Sequence, residues 1–384
     1  MRVLGWMLSS VRLVSAQFNY SNYVNPFIGS EGPIPGYAYG GGDVFVGAAV
    51  PFGVVKLGID TWEDRIDIAT LNGGYTPKGV VTGVSMMHES GTGGCPKYGV
   101  ISQMPLTTAS SPVNILNDTT YWQKRLGTDE ASVGYFHTEL ENGVGITLSA
   151  TKHAGIMRYD FPSGGERHVL IDVSHFLPDP PGGFCAQYYV NGSVTISDDR
   201  KSYTGYGTYA GGFNLGAPYT IYFCGEFDTA PTEARTFVGT NTTRITPVSP
   251  QPEFRDSSAI SGPNGDRVGA LFSWAPSNIS TNGATVSSKV GISFISSEKA
   301  CNFKDTEISD WNLQATAKDV QNEWNNDVFS KVQVDTGPDA NQTHLILLYS
   351  SLYFMHLMPS DRTGENPLWE SEEPSWDDFY CICT

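Results

Sequence analysis

The residues best equipped for chemistry lie in Ser85-Met86-Met87-His88-Glu89-Ser90-Gly91-Thr92-Gly93-Gly94-Cys95. Imidazole, carboxylate and hydroxyl groups stand beside three glycines. Glycine lets a backbone approach a ligand closely, and the polar groups can bond to hydroxyls. That chemistry suits a sugar. A plain glycine turn with a solvated His-Glu pair has the same spacing, and spacing alone leaves both readings open. The order is not H-E-x-x-H, which excludes a zincin. A second candidate is Asp60-Thr61-Trp62-Glu63-Asp64, followed by Gly73-Gly74-Tyr75. An indole between carboxylates can stack on the C–H face of a sugar while the acids accept from its hydroxyls. A strand end with an exposed acidic turn is the other reading.

Other chemistries lack their signatures. Gly40-Gly41-Gly42-Asp43 is not followed by Lys-Ser/Thr, so it is no phosphate loop. There is no G-x-S-x-G elbow and no C-x-x-C pair. His137, His153, His168, His175, His344 and His356 are scattered and read as structural. Paired carboxylates for acid–base work are usually far apart in sequence, so spacing cannot identify them.

The elements that position these residues follow from composition. The 384 residues include 42 Gly, 23 Pro and 12 % aromatics, with only 16 % charged. Average chains carry roughly 25 % charged residues. Turn-rich, aromatic-rich and charge-poor composition predicts an antiparallel β protein with a large interior. The formal charge of −17 disfavours nucleic acid and anionic membrane partners. Residues 1–17 read as a signal-peptide remnant, with Arg12 interrupting the apolar part. Six N-x-S/T sequons, at Asn19, Asn117, Asn191, Asn241, Asn278 and Asn341, favour a secreted protein. Cys95, Cys185, Cys224, Cys301, Cys381 and Cys383 permit disulfides in that setting, with the pairing open.

Residues 145–153, 155–161, 168–173, 187–197, 219–224, 267–274 and 289–296 read as strands separated by Pro-Gly turns, a β-sandwich pattern. Gly-rich 25–60 reads as short buried strands and turns. Apolar spacing in 310–332 predicts a helix capped by Ser309 or Asp310, then a short strand at 331–336. A second helix is predicted over 343–358, stopped by Pro359.

The ordered segments VNPFIG, AVPFGVVKLGIDT, GGY and SMMHESGTGG resemble the N-terminal domain of glycoside hydrolase family 92. GYFHTELENGVGITLSAT, AGIMRYDFP, VGISFIS and LLYSSLYFMHLMPSD extend the resemblance to about residue 380. It implies a galactose-mutarotase-like sandwich over 18–300, a linker helix region over 301–340 and the start of an (α/α)6 barrel over 341–384. It also implies a fungal-type, secreted, exo-acting α-mannosidase that inverts configuration and uses Ca²⁺. Trp62, His88, Glu89, Ser90, Gly91, Thr92 and Gly93 would line a mannose pocket from the sandwich side. Two departures stand out: Met86 replaces the first of two expected histidines, and Glu89 replaces an expected Leu. Trp376-Asp377-Asp378 stands just before the expected Trp-Asp-Thr motif. The acid, the base and the calcium ligands are therefore expected beyond Thr384, and no residue here is assigned to catalysis or metal. The missing barrel is then the natural intramolecular partner and a mannose-containing glycan the substrate. A carbohydrate-binding sandwich without catalysis, and a structural β protein without a ligand, are the rival readings.

Overall fold

A computed structural model describes residues 18–31, 42–63, 72–91, 96–108, 120–178, 187–213, 218–239, 245–247, 256–260, 267–275 and 284–367. Residues 1–17, Asp64, Thr92, Gly93, Gly94 and Cys95 lie outside them, as does everything from residue 368.

Among the described residues, two antiparallel sheets carry the fold. The first runs in the order β1 (Gly47–Ala48), β2 (Leu57–Trp62), β3 (Val80–Ser85), β4 (Ser102–Leu106), β9 (Arg167–Asp172), β16 (Arg267–Trp274), β13 (Glu233–Gly239) and β14 (Ile245–Pro247). The second runs β15 (Asp256–Ile260), β10 (Gln187–Ile196), β11 (Ser202–Gly211), β12 (Tyr219–Phe227), β17 (Ala284–Ser293), β8 (Ala154–Phe161), β7 (Gly145–Ala150), β6 (Tyr135–Glu139) and β5 (Glu130–Ser132). They pack face to face as a sandwich, because alternate residues of each strand are apolar and must leave water. Aromatic contacts cross the interface, with Tyr203 5.3 Å and Phe227 4.9 Å from Phe272. Gln103 of β4 ties three strands of the opposite sheet. Its Nε2 donates to Tyr203 at 2.7 Å and Ser288 at 2.9 Å, and its Oε1 accepts from Tyr159 at 2.9 Å. A satisfied polar network of this kind fixes the register of two greasy faces.

Helix α1 (Ser297–Glu307) lies on the outer face of the second sheet, with Ser296 accepting from the Lys299 N–H. A Cβ at Gly291 would meet the Ala300 carbonyl at 2.1 Å, so only glycine lets the helix sit this close. Cys224 of β12 and Cys301 of α1 form a disulfide across that contact. Apolar periodicity does not predict this helix, because only Ala300 and Lys304 are buried and no apolar stripe marks it.

Helix α2 (Leu313–Glu323) is capped by Asn312, which accepts from Ala315. The expected cap Asp310 instead accepts from the Asn312 N–H. After α2 the chain makes a π-turn over Trp324–Val328 and a 3₁₀ turn over Phe329–Lys331. The expected strand at 331–336 is absent. Residues 331–335 are exposed on both sides of their alternation and meet no partner strand. Helix α3 (Gln342–Leu357) is capped by Asn341.

These helices and the N-terminal turn Tyr20–Tyr23 form a second apolar core with one edge of the sandwich. Phe45, Ala49 and Val133 meet Trp324, Phe329, Tyr349 and Tyr353 there. Trp324 Nε1 donates to the Ala49 carbonyl at 2.8 Å, and the Ser21 N–H donates to Asn325 Oδ1 at 3.0 Å. Leu347, Met355 and Met358 on the far side of α3 are exposed. A helix that is apolar all round usually packs on every side.

The disulfide closes a sequence separation of 77 residues. Removing such a cross-link releases denatured-state entropy and costs about 2–5 kcal/mol. A Cys224→Ser, Cys301→Ser double variant should melt roughly 5–10 °C lower. An unchanged melting curve would contradict that role.

Candidate functional site

Strand β2 pairs with β3, Gly58 opposite Ser85 and Ile59 opposite Val84, and the register shifts between Asp60 and Thr61. Such a bulge re-aims the side chains around it. Asp60 is left 1 % exposed. Its Oδ1 lies 2.6 Å from His88 Nε2 and its Oδ2 lies 2.7 Å from His175 Nε2. Ser85 adds a hydroxyl donor to Oδ1 at 3.1 Å. On its other side, His88 Nδ1 lies 2.7 Å from the Lys56 carbonyl. The two ring nitrogens of His88 thus face a carboxylate and a backbone carbonyl.

Electrostatics agree with that arrangement. Burial pushes the Asp60 carboxyl up, but the charge of His88 and the hydrogen bonds from His175 and His88 outweigh it and hold the group at about 2. Burial pulls His175 down. The hydrogen bond and charge of Asp60, helped by Asp172, outweigh burial and raise it above its ordinary value.

The surrounding backbone is built to this bracket. A Cβ at Gly74, whose φ is +78°, would meet His88 Cδ2 at 2.8 Å. Phe45 stacks on His88 with centroids 5.0 Å apart, and its N–H donates to Ser90 Oγ at 3.1 Å. The Gly91 N–H donates to the Asp43 carbonyl at 2.7 Å. On the return segment, Gly99 N–H donates to the Met87 carbonyl at 2.8 Å. Gln187 accepts from the Tyr98 N–H at 2.9 Å and donates to the carbonyls of Tyr98 and Leu177. Tyr98 and Ile101 both have left-handed φ, +70° and +56°. Such conformations are uncommon for side-chain-bearing residues and persist where the surroundings over-determine them.

A charged cluster joins this loop to the segment after α3. Lys56 is buried, and its Nζ donates to the Gly53 carbonyl and to Ser360 Oγ, both at 2.9 Å. Burial lowers its pKa to about 8, with Glu89 pulling it up and Arg362 pushing it down. Arg362 donates to the Tyr98 hydroxyl at 2.9 Å.

The residues singled out in the sequence are thus divided. His88 and Ser90 are buried, each 2 % exposed, and engaged within the protein. Glu89 is half-buried near Lys56, and Gly91 is exposed. Trp62 is half-buried, its ring 5.4 Å from Trp122. Thr92 and Gly93 lie outside the described residues. Sequence reasoning missed His175, Lys56 and Trp122 as members of this group, and no local motif points to any of them. Among the described residues, no three His, Cys, Asp or Glu side chains converge to hold a metal ion. Asp60, His88 and His175 bond to one another and so brace the segment that leads into the loop.

Comparison with known proteins agrees with the fold. The glycosyl hydrolase family 92 N-terminal domain matches residues 23–293, and the family's catalytic domain matches residues 299–381. The sandwich is thus the family's N-terminal domain, and the chain belongs to glycosyl hydrolase family 92. An uncharacterized secreted glycosidase of Arthroderma benhamiae is 28 % identical over 97 % of this chain and 46 % of its own length. A family 92 alpha-mannosidase from Bacteroides thetaiotaomicron superposes with a TM-score of 0.71 at 22 % identity, over 90 % of this chain and 42 % of that one. A family 92 inverting mannosidase from the same organism gives 0.69 at 22 % identity, over 92 % and 42 %. The chain spans less than half the length of these proteins.

The bracket makes stability depend on pH with a definite sign. His175 is raised in the folded state, so its contribution is complete below its ordinary value of 6.5 and fades as pH rises through the folded value. Asp60 is lowered, so its contribution is complete above its ordinary 3.8 and fades as pH falls toward about 2. Asp60→Asn leaves two imidazoles without their buried counter-charge and should destabilise by about 3–5 kcal/mol near pH 6. The gap between wild type and variant should narrow at pH above 6.5. Denaturant unfolding across pH measures this, and a gap independent of pH would refute the bracket.

Proposed function

We propose that this chain is the sandwich and opening helices of a secreted, calcium-dependent, inverting exo-α-mannosidase. It would act on mannose-containing glycans, with α-1,2-linked mannose as the preferred residue. The observation that carries the reading is family membership across both domains, 23–293 and 299–381. The mannosidase neighbours support it, one of them in complex with mannoimidazole. The secreted relative, the six sequons and the disulfide support export. Among the described residues, no helix is long and apolar enough to cross a membrane.

In this reading the chain supplies one wall of the sugar pocket. Trp62 offers an aromatic face to the C–H side of the ring. Glu89 and the backbone at Ser90 and Gly91, with Thr92 and Gly93, offer polar groups to its hydroxyls. His88 acts as a positioning residue, holding the loop through Asp60 and the Lys56 carbonyl. The acid–base pair and the calcium ligands belong to the rest of the catalytic domain, so residues 1–384 alone do not hydrolyse mannosides. Inversion needs a water between two well-separated carboxylates.

Hydrolysis of α-1,2-mannobiose tests this. A longer protein with the whole catalytic domain should release the inverted anomer and lose activity to a calcium chelator. Trp62→Ala in that protein should lower kcat/KM about tenfold or more, a loss on the order of one aromatic stacking contact. Turnover by residues 1–384, or full activity in Trp62→Ala, would contradict the proposal.

A further inference from the structure

The outer face of the nine-stranded sheet carries a polar row that the sandwich core does not use. Tyr135 and His137 of β6 and Arg158 and Asp160 of β8 alternate with the buried Phe136, Met157 and Tyr159. These four side chains line a cavity of about 260 Å³, closed on the other side by Trp311 and the first residues of α2. A second hollow of about 350 Å³ continues along α2 to Gln321. Tyr135 and Gln314 line both, so the two hollows adjoin and are taken together as a groove. We propose that this groove binds a glycan chain, with Trp311 as the stacking platform and the Arg158–Asp160 pair as the hydroxyl reader.

The chemistry selects a neutral, polyhydroxylated ligand. Lys289 Nζ lies 4.3 Å from the Trp311 ring centroid and holds the half-buried indole in place. Arg158 donates to Asp160 Oδ1 through Nε at 3.1 Å and Nη2 at 2.9 Å, and the Thr285 hydroxyl donates to the same oxygen at 2.6 Å. Among the described residues these bonds fall on one carboxylate oxygen, which leaves Oδ2 able to accept and Nη1 able to donate. A pre-bonded donor beside an acceptor matches neighbouring hydroxyls of a sugar ring. The Arg158–Asp160 pair is neutral as a unit, and Lys318 in the second hollow already donates to Gln321 Oε1 at 2.8 Å. Phosphate-bearing ligands are further disfavoured by the net charge of −17. Small-molecule pockets span roughly 300–1,000 Å³, and the two hollows together have room for more than one sugar residue.

This inference takes mannose as the sugar from the proposed function and takes the groove from the geometry, so the two can fail separately. The test is affinity electrophoresis of the full 384-residue chain through gels containing α-mannan, with β-glucan and xylan gels in parallel. Retardation in the mannan gel should weaken about tenfold in Trp311→Ala, on the order of one stacking contact. It should weaken in Asp160→Asn and be largely kept in Trp311→Phe, with melting curves confirming that the variants fold. Retardation that Trp311→Ala and Asp160→Asn leave unchanged, or no retardation of the wild type in any gel, would overturn the groove. Trp311-dependent retardation in glucan or xylan and not in mannan would keep the groove and overturn the mannose assignment.

Discussion

Asp60 is a carboxylate with almost no access to water, and it remains ionised because two imidazoles and a hydroxyl converge on it. An unpaired carboxylate in that place would be strongly destabilising, so each partner must arrive for the others to be tolerable. His88 comes from the segment after β3, His175 from the segment after β9, and Asp60 from a bulge in β2. The bracket therefore ties the paired strands β2 and β3 to the segment after β9 at one point. Residues 88–91 inherit their position from this buried chemistry.

The helices reach the same point by another route. Phe45 belongs to the apolar core shared with Trp324, Tyr349 and Tyr353, yet its ring stacks on His88 and its N–H is bound by Ser90. Lys56 connects the same loop region to Ser360, just beyond α3. Residues 88–90, which lead into the glycine-rich loop, are thus held from the sandwich by ionic hydrogen bonds and from the helices by aromatic packing. Preorganisation of this kind keeps binding energy from being spent on ordering the loop. The second sheet carries a separate feature, the Trp311 groove, on the face turned away from the core.

Much of the fold was legible because burial leaves a periodic trace. The alternation in 145–161 and 267–274 became β7, β8 and β16 with small changes at the ends. β11 was not legible, because its inward positions include Gly205 and Gly207 and its outward ones are polar. α1 escaped because a small residue and a lysine face the sheet in place of a leucine stripe. The alternation in 331–336 misled because no neighbouring strand buries either side. The site was half legible. Its loop and Trp62 announce themselves by residue type, whereas His175 lies 115 residues from Asp60 and carries no motif. Trp122 and Lys56 join only through tertiary contacts. The family resemblance, carried by ordered segments and not by periodicity, supplied what local reading could not.

The central claim is that the Asp60 bracket holds residues 88–91 and 96–99, the two flanks of the loop, in this arrangement. Amide hydrogen exchange at Gly91 and Gly99 reads this directly, since the first N–H is bonded to the Asp43 carbonyl and the second to the Met87 carbonyl in this arrangement. The account predicts strong protection at both in the wild type. In Asp60→Asn under native conditions it predicts selective loss at these two amides, with β8 and β17 still protected. Equal protection at Gly91 and Gly99 in both proteins would show that the loop stands without the bracket, and would contradict the account.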